Sequence, residues 1–413
     1  MFGLNAHIYK PGTHLLLYSL LLIATPFLLL QNYLQSFIGR ASAFGMEILG
    51  ANVPLSLFIL SLLFLFLIIR FWNKFSRNRL LGWGIIFLMF FIGQKITDFY
   101  FDHNFYDLQY NWHYFAYAIF AFLNYRLHKQ KGSPPEKIIL TTFFYALLIS
   151  TFDEAVQVPL SNRIFDFGDI AKDLWGAMMG LVFVFMVLEN GKVLKSHNSL
   201  RQKTWKDYLK RPVSLFFVQL LFAFIFMFVA SNTSDSEYWL QTIFISLLLF
   251  LLFVLIFHYS QYRKSGIVLV VIGAVIVGLQ IFFFFKHRED KLVYTGNNLI
   301  VYKGIPVFFF DLMVYPNGNF RIVDKKEYFN NRDKNTIMDL AENILIVGNG
   351  SGEVGNAGWV NDPPVQFIYH ENRKMALQVM VLGNRDAMQK FNQLTEAGKR
   401  PMLIMHNDRG GAR

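Results

Sequence analysis

The run SLFILSLLFLFLIIRFW, Ser56 to Trp72, contains a single charge, and eight further apolar runs lie within the first 285 positions. A helix of about 18 or more apolar residues matches the hydrocarbon thickness of a bilayer. The nine runs are 13–31, 54–72, 80–97, 112–127, 138–152, 173–189, 213–231, 239–259 and 266–285. Runs 112–127 and 138–152 are short and carry Tyr, Asn or Thr, so they fit only as helices flanked by interfacial residues or packed inside a bundle. Charged residues make up 16% of the chain, against roughly 25% in soluble domains, which excludes an ordinary water-soluble enzyme. The chain has no cysteine, which excludes disulfides, thiolate metal centres and cysteine nucleophiles. The first apolar run starts after Lys10 with no small-residue cleavage site behind it, so it reads as a span and not a cleaved leader.

From Lys286 the composition becomes mixed, and short apolar runs alternate with polar turns. The expected fold class is an all-α polytopic membrane bundle of about nine spans with a C-terminal soluble α/β domain. Four regions follow: a two-span N-terminal region (1–79), a central membrane domain (80–190), a three-span hydrophobic anchor (191–285) and the soluble domain (290–413). Strands are expected at Leu299–Tyr302, Val307–Val314, Phe320–Val323, Ile344–Val347, Val365–Tyr369, Gln378–Leu382 and Met402–His406. Pro316-Asn317-Gly318-Asn319 reads as a hairpin turn. Helices are expected at Lys334–Ala341 and Arg385–Ala397, the second capped by Asn384 and ended by Gly398. Gly350 to Gly355 spell G-x-G-x-x-G, but Asn356-Ala357-Gly358 follows where a dinucleotide fold needs a helix, so a tight turn is the reading.

The loops alternate in charge. Arg70, Lys74, Arg77 and Arg79 share one loop without an acid, and loops 126–137, 189–211 and 258–265 are basic as well. Loops 95–111, 153–173 and 231–238 are acidic. Cytoplasmic loops carry the excess of Lys and Arg. This places the N-terminus inside and, with nine spans, the C-terminal domain outside. The basic balance of the chain, 39 Lys and Arg against 28 Asp and Glu, therefore reports topology and anionic headgroups, and no nucleic-acid motif accompanies it.

One stretch breaks the hydrophobic pattern: FDEAVQVPLSNRIFDFGDIAKDLWGAMMG, 152–180. Ionisable residues at membrane depth are costly and mark either function or a paired network. Glu154 and Gln157 are three apart on one helix face before Pro159. Asp169 and Asp173 are four apart on the next, and Gly176 and Gly180 continue near that face and permit close helix approach. Arg163 lies between, six residues from Gln157 and six from Asp169; its planar donors suit a carboxylate or a phosphate. Three readings stand side by side. Arg163 pairs with Glu154, Asp169 or Asp173 as a structural network; or the three carboxylates hold a divalent cation with Arg163 on a phosphate; or the cluster recognises a headgroup without chemistry.

The order Asp153-Glu154-x-x-Gln157, Arg163, Asp169-x-x-x-Asp173-x-x-Gly176-x-x-x-Gly180 resembles the VanZ-like family over roughly 80–190. That family is named for a protein linked to glycopeptide (teicoplanin) resistance. Its His followed four residues later by Tyr matches His113 and Tyr117, and this match is what sets His113 apart from an ordinary core histidine. The chain departs from the pattern where Asp173 replaces Asn, where Gln109 and Tyr110 replace Asp-Lys, and where Ser161-Asn162 replaces Pro-Gly. The resemblance implies ligand-binding candidates Glu154, Gln157, Arg163, Asp169, Asp173 and His113, and a multi-pass protein of the bacterial cytoplasmic membrane.

A second resemblance covers roughly 295–406. Segments DLMVYPNGNFRIV, ENILIVGNG and NRDAMQKFNQLTEAGKRPMLIMH are similar to an uncharacterised α/β domain found in a mitochondrial complex I assembly factor and an adipogenesis-associated protein. It carries no catalytic residues over, and it implies binding or assembly. The expected function is therefore an envelope protein that binds a membrane lipid-linked or glycopeptide-type headgroup, in antibiotic tolerance or envelope maintenance. One alternative is a membrane-embedded enzyme on a lipid phosphate, which would use Glu154, Asp169 and Asp173 to hold Mg²⁺ and whose catalytic residues the sequence does not name. The other is an assembly scaffold that meets a protein partner through 290–413.

Overall fold

The computed structural model describes residues 10–25, 45–48, 51–54, 62, 66, 69, 76–97, 108–159, 165–193, 204–232, 239–287, 292–295, 299–308, 311–323, 341–350, 363–370 and 375–407. They fall into two compact units, one of residues 1–231 with 239–258, the other of 232–238 with 259–413.

The first unit is helical. Helix α1 is Pro11–Ala24, α2 Arg77–Thr97, α3 Leu108–Gln130 and α4 Pro135–Gln157. Helix α5, Phe167–Val182, runs on into a π-helical turn, Phe183–Leu188. The short α6 is Trp205–Lys210, α7 is Pro212–Asn232 and α8 is Trp239–Ser260. Two short strands, β1 (Gly45–Ile48) and β2 (Ala51–Pro54), pair antiparallel in a region where the apolar pattern predicts none.

Helix α5 is the centre of this unit, with every residue from Ile170 to Val182 buried. It lies hard against α3. A Cβ on Gly176 would stand 2.8 Å from the Tyr114 backbone, and one on Gly180 would stand 2.6 Å from the Ala121 Cβ. The two glycines thus set the interhelical distance, as their spacing predicts. On the other side of α5, Trp175 donates its indole N–H to the Met89 carbonyl of α2 at 2.7 Å. The far end of the bundle is closed by polar contacts. Lys129 and Tyr125 of α3 both bond the Glu189 carboxylate, and Asn78 donates to the Asn190 carbonyl at 2.8 Å.

Among the described residues six helices are long and apolar enough to cross a membrane: α2, α4, α5 with its π turn, α7, α8 and α9 (Arg263–His287). Of the nine expected runs, three are not among these six. Run 13–31 is the 14-residue α1, with 26–31 outside the described residues. Run 54–72 lies outside them apart from Pro54, Leu62, Phe66 and Ile69. Run 112–127 is part of α3, whose Asn, His and Tyr content holds its hydropathy down.

The second unit opens with α9, Arg263–His287, and a small α/β region follows. Strands β3 (Leu292–Tyr294), β4 (Leu299–Tyr302) and β5 (Ile305–Phe308) form an antiparallel three-stranded sheet. A six-stranded sheet contains β6 (Asp311–Val314), β7 (Phe320–Val323), β8 (Ile344–Gly348), β9 (Val365–His370), β10 (Met375–Leu382) and β11 (Met402–Met405), in the order β7-β6-β11-β8-β10-β9. Its centre is parallel, with β8 flanked by β10 and β11, and its outer pairs are antiparallel. Helix α10, Asn384–Glu396, links β10 to β11 and lays Ala387, Phe391 and Leu394 onto the core at three-to-four-residue spacing. Fully burying a side chain such as Phe391 contributes about 1.5–3 kcal/mol.

The expected single strand 307–314 divides, because the chain leaves the smaller sheet after β5 and enters the larger at β6. The hairpin turn at 316–319 forms as expected: Tyr315 donates to the Asn319 carbonyl at 2.8 Å, and Gly318 takes a φ of +79°. Gly398, φ +74°, ends α10. Asn384 is not the cap; Gly383 occupies that position. The buried Asn384 side chain instead accepts from the Gly350 N–H at 3.0 Å and donates to the His406 carbonyl at 2.6 Å. The expected helix 334–341 lies outside the described residues save Ala341.

Candidate functional site

Helical spacing brings one polar cluster together at the ends of α3, α4 and α5. Ser150, Glu154 and Gln157 recur at four and three residues along α4 and share a face. Asp166, Asp169 and Asp173 recur at three and four along the start of α5. Asp166 caps α5, accepting the Gly168 N–H at 2.6 Å. A carboxylate there satisfies an orphan amide and meets the positive end of the helix dipole.

Asp173 is the hub. It is 1% exposed, and its two oxygens have different partners. Oδ1 lies 2.9 Å from His113 Nδ1 of α3, and Oδ2 accepts the Ser150 hydroxyl of α4 at 2.6 Å. A single carboxylate therefore ties three helices. Its pairing leaves His113 Nε2 directed at Asp169, with 3.7 Å between Nε2 and Oδ1. Asp169 in turn accepts from Lys172 at 2.8 Å. Glu154, 3% exposed, accepts the Asp166 backbone N–H at 3.0 Å and the Gln157 amide at 3.2 Å. Tyr117, one turn after His113, is buried beside Ser150 and Asp173.

The cluster is graded in access. Asp173, Glu154, Gln157 and Lys172 are buried, whereas the side chains of His113 and Asp169 are 27% and 24% exposed. A group approaching from outside the bundle can reach that His–Asp pair and the exposed Asp166. Among the described residues carboxylates outnumber bases here, with Asp153, Glu154, Asp166, Asp169 and Asp173 against Lys172 and His113. Such an excess favours a ligand that presents hydrogen-bond donors or an amino group.

Of the six sequence candidates, five are in the described region and gather at this end. Arg163, expected at their centre, lies in 160–164, outside the described residues. The cation seen at the acids is Lys172, and the aromatic base is His113. Among the described residues no group of three or more His, Asp or Glu is placed to hold a metal ion. Asp173 is held by His113 and Ser150, Asp169 Oδ1 by Lys172, and Glu154 by the Asp166 N–H and Gln157.

Family models, curated proteins and solved structures were each compared with the chain, and none matches it. The site stands on its own geometry.

Ser150 and Lys172 went unnoticed in the sequence. Lys172 was legible as an i, i+3 partner of Asp169. Ser150 was not, because a lone serine in an apolar helix normally bonds its own backbone, and only the packing of α4 on α5 gives it Asp173. In the second unit the Gly-rich turn also resolves. Gly350, φ +92°, closes on the start of α10 through Asn384, so the helix beside the turn is the one after β10. Positions 351–355 lie outside the described residues.

Proposed function

We propose that the chain is a multi-pass membrane protein of VanZ-like kind that binds a lipid-linked or glycopeptide-type headgroup at the outer rim of the bilayer. The observation that carries this is the Asp173-centred cluster, a polar, acid-rich end on otherwise apolar helices, with His113 and Asp169 accessible and their partners buried. Six apolar helices support membrane residence. In the full reading α1, 54–72 and α3 complete nine spans, the N-terminus lies inside and the C-terminal domain outside.

Depth supports the outer-rim placement. His113 and Lys129 are sixteen residues apart on α3, about 24 Å along the axis. Lys129 belongs to a basic, inward loop by the charge rule, so His113 belongs near the opposite leaflet. Headgroups there are rich in amines and hydroxyls, the donors that surplus carboxylates favour.

The test is made in cells challenged with a teicoplanin-type glycopeptide. Arg163→Ala and His113→Ala abolish tolerance while membrane levels of the protein stay at the parental value. Variants that vanish from the membrane would assign the cluster to folding alone. Turnover of a lipid phosphate by the purified chain would replace binding with catalysis.

A further inference from the structure

Helix α9 is apolar over 266–285 except for Gln280, and the structure shows what that amide does. Gln280 Nε2 donates to the Gly304 carbonyl at 3.0 Å. Gly304 sits in the two-residue turn Lys303-Gly304 between β4 and β5, where both residues take positive φ, +48° and +76°. A Cβ on Gly304 would stand 2.6 Å from the Phe284 Cα. The hairpin tip is therefore seated directly on the last turns of α9, and only glycine fits there. This junction lies wholly within the second unit.

A cleft of about 520 Å³ opens beside it, a size typical of small-ligand sites. Its floor is aromatic, with Phe284 of α9, Tyr302 of β4 and Phe391 of α10. Its charged lining is Lys303 from the hairpin and Lys399 and Arg400 from the segment after α10; no carboxylate is among the described lining residues, though the exposed Glu342 lies 3.8 Å from Arg400. Burial pushes the Tyr302 phenol up to about 12, so it adds no negative charge near neutral pH. Lys399 and Arg400 follow the carbonyl end of α10, where cations are favoured in any protein. Lys303 has no such reason. It comes from a different element, lies over the Tyr302 ring at 5.1 Å and donates to the Gly318 carbonyl at 3.1 Å, which holds it on the same cleft.

The depth of this cleft follows if α9 spans the bilayer, as the proposed function has it. Residues 263–286 make a helix of about 36 Å, against a hydrocarbon core of about 30 Å. Phe284 then lies at the edge of the hydrocarbon. The three cations, carried on the soluble side of Phe284, face the phosphate layer.

We propose that this cleft binds the phosphate of an anionic membrane lipid, with Lys303, Lys399 and Arg400 on the phosphate and the aromatic floor against the glycerol and upper acyl carbons. The inference rests on the membrane reading of α9 and is independent of the Asp173 cluster. The shared ligand chemistry is a phosphate monoanion or diester; the lipid is the source favoured by the apolar floor.

The experiment uses the full chain in neutral detergent. It is titrated with short-chain phosphatidylglycerol, short-chain phosphatidylcholine and inorganic phosphate, and retained ligand is counted by native mass spectrometry. Phosphatidylglycerol is retained at least tenfold more tightly than phosphatidylcholine. Each single variant, Lys303→Gln, Lys399→Gln or Arg400→Gln, weakens it about fivefold, the size of one near-surface cation. Arg385→Gln, an exposed cation at the other end of α10, leaves it unchanged. Displacement by millimolar phosphate would support the phosphate site with a free anion as its source; no displacement assigns it to lipid. Equal retention of both lipids, or a triple variant that binds like the parent, overturns the proposal. Carbonate extraction of membranes carrying the parent chain separates the two levels. A chain that washes off refutes the membrane reading itself, whereas a retained chain with unselective binding refutes only the cleft.

Discussion

Replacing Asp173 separates its charge from its geometry. The carboxylate is the common acceptor for His113 and Ser150, at 2.9 Å and 2.6 Å, in a site where it is 1% exposed. Asp173→Ala deletes both acceptor oxygens and leaves a ring nitrogen and a hydroxyl without partners in a buried space. Each orphaned donor costs about 1–3 kcal/mol, so the loss is about 2–6 kcal/mol. Asp173→Asn behaves differently. Its carbonyl oxygen keeps the His113 contact, and its amide can donate to the Ser150 oxygen, which accepts as readily as it donates. Two charge-assisted bonds become neutral ones, a loss of about 1 kcal/mol each. Removing a buried charge offsets part of that.

The expected order of stability is thus parent, then Asp173→Asn within about 2 kcal/mol, then Asp173→Ala well below both. The assay is reversible unfolding of the full chain in mixed micelles with increasing SDS, followed by far-UV circular dichroism. A double-mutant cycle with Ser150→Ala should give a coupling energy of about 1 kcal/mol or more between positions 150 and 173. If Asp173→Ala matches Asp173→Asn, or the coupling vanishes, Asp173 is not the tie between α3, α4 and α5. The cluster then has no common centre to present to a ligand.

Other consequences are simpler to state. Gly180→Val pushes branched carbons into the Ala118 and Ala121 region of α3 and lowers stability by about 3 kcal/mol or more, read in the same unfolding assay. Gly304→Ala meets both a positive φ and the Phe284 backbone; trypsin cleavage after the exposed Lys303 accelerates several-fold as the hairpin lifts from α9. Burial pushes the Glu189 carboxyl up, but its hydrogen bonds from Lys129 and Tyr125 outweigh this and hold it below the usual carboxylate range. A depressed folded value stabilises above the unfolded pKa, about 4.3 for Glu, and that contribution is lost as pH falls through the folded value. Parent and Glu189→Gln should therefore differ at pH 6 by under about 1 kcal/mol, since Lys129 is exposed, and converge near pH 3.

Much of this was legible in the sequence because it depended on local period. The strands of the second unit follow apolar runs bounded by turns, and Pro316 to Asn319 closes a hairpin by chemistry internal to four residues. Gly176 and Gly180 announce a close helix contact through spacing alone. The failures share a cause, which is long-range pairing. Val307–Val314 reads as one strand because nothing local says that its halves belong to different sheets. Asn384 reads as a cap because its partners, Gly350 and His406, lie 34 and 22 residues away.

Helix α3 shows why a polar helix can belong inside an apolar bundle. Taken alone it carries Asn111, His113, Asn124 and His128, and its hydropathy falls short of a spanning helix. Three of them bond neighbouring elements. His113 bonds Asp173 of α5; Asn124 donates to Thr141 and Thr142 of α4; His128 meets Thr141 and Ser133. The Tyr18 hydroxyl of α1 takes the Ala116 carbonyl at 2.9 Å. Hydropathy scores a side chain as if it faced lipid, whereas these face α1, α4 and α5. The polarity of α3 is therefore evidence of its neighbours and not against its depth. At the start of α3 one polar pair, His113 with Asp169, stays partly open.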